Sequence, residues 1–137
     1  MLTLTRSVRF CAAHRLYNPA WSEEKNARIY GRCSNPGGHG HNYTLAVTVT
    51  GPFDAQGGMI INVSTLREML EREVVQPLDH RDLNCDVPFL HGVIPTMENL
   101  VVTLSQRLQP ALAAHGITLK RITLAESDHN HVTLEVP

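Results

Sequence analysis

Two stretches in which apolar and polar side chains alternate constrain the fold of this chain most strongly. In the first, apolar residues at positions 2, 4, 8, 10 and 12 alternate with threonine, serine, arginine and cysteine. In the second, Tyr43, Leu45, Val47 and Val49 alternate mainly with threonine. A period of two predicts β-strands that bury one face and leave the other in water. Each strand therefore needs a covering layer on one face only.

The middle of the chain contains two helical patterns. Apolar side chains recur at helical spacing over residues 64–76, and Pro77 is predicted to end this helix. A longer helix is predicted to begin after Pro95, with Thr96 as its N-cap, and to stop at Gly116. We expect a short strand at 59–61, closing strands at 117–126 and 131–136, and a long functional loop over 16–42.

The order of these elements predicts the fold class. Two strands, two helices and two strands indicate an α+β fold with a four-stranded, mainly antiparallel sheet and both helices on one face. A chain of 137 residues suits one domain, which we expect to span residues 1–137. Because open sheet edges tend to pair, we also expect a ring-like homo-oligomer whose subunits extend one another's sheets.

Charge and composition exclude several classes of partner. The 12 basic and 13 acidic side chains nearly cancel, and no basic stripe suggests binding to nucleic acid or to a membrane surface. No segment approaches the roughly 20 apolar residues that cross a bilayer, and the N-terminus does not resemble a signal peptide. The three cysteines cannot all pair and are interpreted as thiols. We expect a cytoplasmic protein with a small-molecule partner.

Three histidines fall in apolar strand phases. His39 and His41 flank Gly40 and lie two residues apart, so they point to the same face of an extended chain. His14 ends the first strand in its apolar phase. Buried imidazoles need a partner, and three neutral imidazoles suit zinc while leaving one coordination position open. His14, His39 and His41 are therefore the predicted metal ligands.

Cys33 precedes these histidines in a glycine-rich segment, and two interpretations of it remain open. As a fourth ligand it would close a structural site, and the chain would be a non-catalytic zinc-binding module. As a base it would stand beside an open catalytic site. A nearby metal or cationic imidazole lowers the pKa of a thiol from about 8.5, and the glycine-rich approach favours the base.

Carboxylates supply the remaining candidate site residues. Asp79 directly precedes His80, an arrangement that suits a proton relay. Glu126 shares the apolar phase of Ile122 and Leu124, where a carboxylate needs a partner. A heterocycle with two adjacent N–H donors would satisfy it.

Five segments taken together resemble one family over nearly the whole chain. They are Phe-Cys-Ala-Ala-His-Arg-Leu at 10–16, the run from Cys33 to Tyr43, Leu-Asp-His with Leu-Asn at 78–84, Pro-Thr-Met-Glu-Asn at 95–99 and Glu-Ser-Asp at 126–128. In this combination the chain resembles the 6-pyruvoyl tetrahydropterin synthase and 6-carboxytetrahydropterin synthase family. The resemblance implies a tunnelling fold, in which trimers close into a barrel and two trimers stack into a homohexamer.

The resemblance also implies the activity and the role of each site residue. It implies Zn²⁺ on His14, His39 and His41, Cys33 as general base, Asp79 and His80 as its proton relay, Glu126 as the anchor of the pterin ring, and Thr96 and Glu98 in the pterin pocket. The substrate would be 7,8-dihydroneopterin triphosphate. Zinc would bind its side-chain hydroxyls and acidify the neighbouring C–H bonds, and loss of triphosphate would give 6-pyruvoyl tetrahydropterin.

The family divides by product. Five residues separate Cys33 from His39, which resembles the pyruvoyl-forming members. Members that form 6-carboxytetrahydropterin in queuosine biosynthesis usually have a shorter spacing. The pyruvoyl product is therefore the preferred prediction. The carboxy product from the same substrate and the non-catalytic zinc module are the alternatives.

Overall fold

The computed structural model of the protein describes residues 1–137 and contains five strands and four α-helices. In chain order they are β1 (Leu4–His14), α1 (Glu23–Tyr30), β2 (His39–Thr50), α2 (Val63–Leu70), α3 (Gln76–Leu78), β3 (Arg81–Asp82), α4 (Met97–Ala113), β4 (Thr118–Ala125) and β5 (His131–Glu135). A π-helical turn, Glu71–Val75, joins α2 to α3, and 3₁₀ turns lie at Gly31–Ser34 and Pro88–Leu90.

The strands form one sheet in the order β3-β1-β2-β4-β5. The pairs β1–β2, β2–β4 and β4–β5 are antiparallel, whereas β3 runs parallel to β1 and pairs only with Ala12 and Ala13. The predicted α+β class is confirmed, and the four predicted strands of its sheet are present. The predicted count of four was too low by one, because a strand of two residues is too short to show alternation.

The hydrophobic core lies between the sheet and the helices. It is one cluster of 24 buried residues that joins the apolar phases of the strands to the inner faces of α2 and α4. Phe10, Leu45 and Leu104 are among the side chains buried there. Each such side chain contributes roughly 1.5–3 kcal/mol through removal from water. The core fixes the strand phase, and with it the face on which the ends of β1 and β2 present their histidines.

Helix α1 was missed by the sequence analysis, which predicted a continuous loop. The hydroxyl of Ser22 caps α1 by accepting a hydrogen bond from the Lys25 N–H. The one buried residue of this helix is Asn26, whose side-chain amide bonds to main-chain groups around it. A helix that is fixed by a buried amide has no apolar stripe, so hydrophobic periodicity could not reveal it.

Two boundaries also differ from prediction. The expected strand at 59–61 is absent, since Met59 forms only an isolated bridge with Asp54 that closes a turn. The helix expected to end before Pro77 continues to Leu78. The π turn separates α2 from the last helical turn, so Pro77 falls in the first turn of α3, where proline is tolerated.

The predicted start of α4 is confirmed. The Thr96 hydroxyl accepts a hydrogen bond from the Asn99 N–H at 3.2 Å, as expected for an N-cap. Gly116 follows the helix with φ of 70°, a conformation that favours glycine. The cap places the preceding residue, Pro95, beside the ends of β1 and β2.

Candidate metal centre

Three imidazoles converge where β1 ends and β2 begins. The antiparallel register pairs His14 directly with His39 and Ala12 with His41. Both strands therefore bring histidines to the same face at the same end. One ring nitrogen from each of His14, His39 and His41 can be chosen so that all three lie within 4.8 Å of one another. This arrangement could hold a metal ion.

The environment of His14 fixes the orientation of its ring. His14 Nδ1 lies 2.8 Å from the carbonyl oxygen of Pro95. Because a carbonyl only accepts, Nδ1 carries the proton and Nε2 keeps its lone pair. That nitrogen lies 3.1 Å from Nε2 of His39, at the centre of the cluster. In histidines that ligate metals, the ring nitrogen that does not bind the ion typically donates a hydrogen bond, as Nδ1 of His14 does to Pro95.

His41 provides a direct test of whether a cation fits. Its Nε2 is buried and has no hydrogen-bond partner, and the nearest carboxylate oxygen, from Glu126, is 3.7 Å away. A buried polar atom without a partner costs roughly 1–3 kcal/mol. A divalent cation shared with His14 and His39 would satisfy this nitrogen. The three residues therefore fit a metal ion, and an imidazole set suits zinc.

Burial also prepares these imidazoles for ligation. It lowers the pKa of His14 and of His41 below the ordinary value of 6.5, more than Glu126 and the Pro95 carbonyl raise it. The neutral form is thus favoured near neutral pH. Neutral imidazole is the form that binds a metal.

Cys33 lies beside the cluster but outside it. The thiol is half-buried in the turn Gly31–Ser34, and the group of converging donor atoms contains no sulfur. The Leu16 N–H donates to the Cys33 carbonyl at 2.7 Å, so Cys33 lies next to the end of β1. Burial, Glu126 and Cys33 together raise the pKa of the Tyr43 hydroxyl. The three imidazoles therefore converge without the thiol.

Asp79 and His80 lie at the outer edge of β1. Asp79 Oδ2 is 2.9 Å from His80 Nδ1, and Asp79 Oδ1 accepts the Cys11 N–H at 2.8 Å. These bonds lower the pKa of Asp79. The His80 N–H donates to the Cys11 carbonyl. Within one chain no hydrogen bond joins this pair to Cys33.

His80 also has an unusual backbone. Its φ of 59° lies in the left-handed region, and it is the one non-glycine residue of the chain with positive φ. Such a conformation costs on the order of 1 kcal/mol or more and persists where the surrounding structure requires it. The side chain is 80% exposed, so it is available to a group outside this chain.

Glu126 lines a cavity next to the metal centre. This cavity has a volume of about 420 Å³ and is also lined by His41, Thr44 and Asp128. Its size is in the range of small-molecule sites. Thr96 directly follows Pro95, whose carbonyl contacts His14. Glu98 is exposed in the first turn of α4.

Sequence reasoning missed two groups that contact His14 in the candidate metal centre. The hydroxyl of Tyr43 lies 3.3 Å from His14 Nδ1, and the Pro95 carbonyl accepts from the same nitrogen. Tyr43 shares the strand phase of His39 and His41, so the alternation could have revealed it. The Pro95 contact involves a main-chain atom and has no sequence signal.

The fold and the site together define an α+β protein with a cluster of three histidines that could hold a metal ion, a nearby thiol and a carboxylate-lined cavity. A sequence model of the family described as 6-pyruvoyl tetrahydropterin synthase matches residues 3–136. A 6-pyruvoyl tetrahydrobiopterin synthase from Pongo abelii is 43% identical over 129 residues, which cover 94% of this chain and 88% of the relative. The chain belongs to the 6-pyruvoyl tetrahydropterin synthase family.

A solved structure and a second relative extend the comparison. The structure of the Caenorhabditis elegans 6-pyruvoyl tetrahydropterin synthase matches with a TM-score of 0.91 and 31% identity, covering 99% of this chain and 96% of that one. A 6-carboxy-5,6,7,8-tetrahydropterin synthase from Haemophilus influenzae is 30% identical over 81 residues, 57% of this chain and 51% of that protein. The similarity to the pyruvoyl-forming relative is both higher and longer.

Proposed function

We propose that this chain is a zinc-dependent 6-pyruvoyl tetrahydropterin synthase. It converts 7,8-dihydroneopterin triphosphate to 6-pyruvoyl tetrahydropterin with loss of triphosphate, and is thus a carbon–oxygen lyase acting on a phosphate ester. The observation that carries this proposal is the convergence of His14, His39 and His41 in a family member, with the Cys33 thiol beside the cluster and not among its donor atoms.

The metal ligands and the base have separate roles. His14, His39 and His41 hold the ion, which when bound supplies Lewis acidity toward the side-chain hydroxyls of the substrate. Cys33 removes a proton from a carbon of that side chain. Its position outside the cluster leaves the thiolate free to act as a base.

The pterin ring is held by the cavity beside His41. Glu126 accepts hydrogen bonds from two adjacent N–H groups of the ring, since an ionised carboxylate has two acceptor oxygens. Thr96 and Glu98, at the start of α4, complete the pocket. The 3.7 Å approach of Glu126 to His41 supports this role, because it puts ring recognition next to the metal centre.

The proton relay requires a second copy of the chain. Asp79 and His80 bond to β1 and to each other but not to the Cys33 of their own chain. We therefore propose that they serve Cys33 of a neighbour in a homohexamer built from two trimers. The outer edge of β1 beyond the two residues paired with β3, and the outer edge of β5, have no strand partner within the chain.

The helices and the cysteines bear on where the protein acts. None of the helices has the length and apolar character of a bilayer-spanning segment. All three cysteines are free thiols, which suits the proposed location in the reducing cytoplasm.

Product analysis tests the proposal. Purified zinc-loaded protein is incubated with 7,8-dihydroneopterin triphosphate, and the pterin is identified by mass spectrometry. We expect 6-pyruvoyl tetrahydropterin and free triphosphate. Formation of 6-carboxytetrahydropterin with acetaldehyde would establish the alternative product. A zinc-loaded protein without turnover would indicate the non-catalytic module.

The variant Cys33→Ala tests the role of the thiol separately. If Cys33 is a base, the variant keeps its zinc and loses turnover. If Cys33 is instead a fourth ligand, the variant loses zinc affinity as well. The zinc content of wild type and variant, measured after identical dialysis, separates the two roles.

A further inference from the structure

Two hydrogen bonds tie the segment that carries Cys33 to the end of β1. The Leu16 N–H donates to the Cys33 carbonyl at 2.7 Å. The Arg15 side chain donates from Nε to the Ser34 carbonyl, also at 2.7 Å. Consecutive carbonyls at the thiol are thus held by the two residues that follow His14.

Other contacts, independent of the bond to Ser34, also hold Arg15 in place. Its main chain is bonded in both directions to Asn84, from Arg15 N–H to Asn84 Oδ1 at 2.7 Å and from Asn84 Nδ2 to the Arg15 carbonyl at 2.8 Å. The guanidinium carbon lies 4.0 Å from the centre of the Tyr17 ring. A side chain stacked in this way loses little further freedom when it donates to Ser34.

We propose that Arg15 is a positioning residue for Cys33, acting through the main chain at Ser34. Arg15 directly follows a metal ligand, so its bond to Ser34 sets the distance between the thiol and the three-histidine centre. A displacement of about 1 Å at a reacting group can lower a rate on the order of 100-fold. The mechanistic part of this inference rests on the proposed role of Cys33 as a base.

A direct role for Arg15 in binding the triphosphate would produce a different result. Loss of a substrate contact of that kind raises KM and leaves kcat nearly unchanged. Loss of thiol positioning lowers kcat and leaves KM nearly unchanged. The bond to Ser34 uses Nε, and the stacking on Tyr17 uses the guanidinium face, which favours the positioning role.

The experiment compares Arg15→Met, which keeps an unbranched stem but has no donor, with Arg15→Lys, which keeps a donor. Arg72→Gln is the matched control, because Arg72 is exposed on the π turn and its side chain bonds only to its neighbour Glu73. For each protein we measure kcat, KM, zinc content and the amide exchange of a peptide covering residues 31–36.

For Arg15→Met we expect kcat to fall about tenfold or more while KM stays within about twofold. Zinc content should stay at the wild-type level, and amide exchange over 31–36 should accelerate. Arg15→Lys should recover part of both effects, and Arg72→Gln should match wild type. Asn84→Ala, which releases the Arg15 main chain, should reproduce the faster exchange if Arg15→Met folds poorly.

Three outcomes would overturn the inference. These are wild-type kcat and exchange in Arg15→Met, a rise in KM alone, or loss of zinc together with activity. If the wild-type protein shows no turnover at all, the proposed function fails. In that case wild-type amide exchange in Arg15→Met and Asn84→Ala would also overturn the positioning role, and accelerated exchange would support it.

Discussion

Tyr43 places a buried hydroxyl beside the candidate metal centre, 3.3 Å from His14 Nδ1. Tyr43→Phe keeps the ring, which stacks on Phe10 at 5.0 Å between centroids, and removes only the hydroxyl. Loss of a group that orients a metal ligand typically lowers the metal affinity by about 10–100-fold. We expect the zinc dissociation constant to rise about tenfold in a chelator competition.

The metal-free proteins provide the control for this prediction. Their thermal unfolding should show that Tyr43→Phe remains folded. An unchanged zinc affinity would mean that the Pro95 carbonyl alone orients His14.

Asp79 gives the protein a pH dependence whose direction follows from its pKa. The Cys11 N–H and the His80 side chain stabilise the charged carboxylate, so its pKa lies below the ordinary value of 3.8. The stability that this charge contributes is fully present above that ordinary pKa. It is lost as the pH falls through the lower folded-state pKa.

The substitution Asp79→Asn tests this direction. The variant should be less stable than wild type near neutral pH, and the difference should shrink as the pH falls below 3.8. Thermal unfolding across this range is the measurement. A difference that stays constant with pH would show that the charge of Asp79 contributes nothing to stability.

Individual residues show what the sequence could predict about the site. The convergence of His14, His39 and His41 followed from strand phase, because two paired strands with known buried faces leave little freedom in where their ends meet. The bonds of Asp79 to Cys11 and of Arg15 to Ser34 did not follow. Each of these bonds joins a side chain to a main-chain atom of a distant segment. Because every residue has the same main-chain atoms, the sequence does not indicate which one is the partner.

At the scale of elements, the N-terminus of α4 connects helix capping to the metal centre. Thr96 caps the helix, and the preceding carbonyl of Pro95 orients His14. Thr96→Ala removes the cap and should lower the free energy of unfolding by about 1 kcal/mol. The loosened helix start should also weaken zinc binding.

Thr96→Ser keeps a capping hydroxyl and is the matched control for this change. Denaturant unfolding of the metal-free proteins gives the stability, and chelator competition gives the zinc affinity. A stability loss with unchanged zinc affinity would show that the cap does not hold Pro95 in place.

The elements differ in how well the sequence revealed them. The strands β1 and β2 and the helix α4 have long periodic patterns because each buries a continuous apolar face. Helix α1 is fixed by Asn26, and β3 by two residues of parallel pairing, so neither has such a pattern. Hydrophobic periodicity predicts elements that contribute to the core and misses those held by polar contacts.

At the scale of the whole molecule, the β1 edge is available for pairing with another chain. Both main-chain groups of Cys11 bond to the segment of Asp79 and His80, away from β2. Main-chain groups alternate in direction along an antiparallel strand, so those of Ser7 also point outward. Strand β3 covers only Ala12 and Ala13, and the edge at Ser7 has no partner in the chain.

Ser7→Pro therefore tests the proposed assembly at its main-chain contact. The substitution removes an N–H that β1 does not use within its own chain, and proline is accepted at such edge positions. Wild type and the Ser7→Ala control should form the hexamer in light scattering, and Ser7→Pro should be smaller with the same far-ultraviolet circular dichroism. Turnover should be lost with assembly, because His80 could no longer reach the Cys33 of a neighbour. A fully assembled Ser7→Pro protein would show that this edge is not where subunits meet, and an active monomer would show that one chain contains the complete relay.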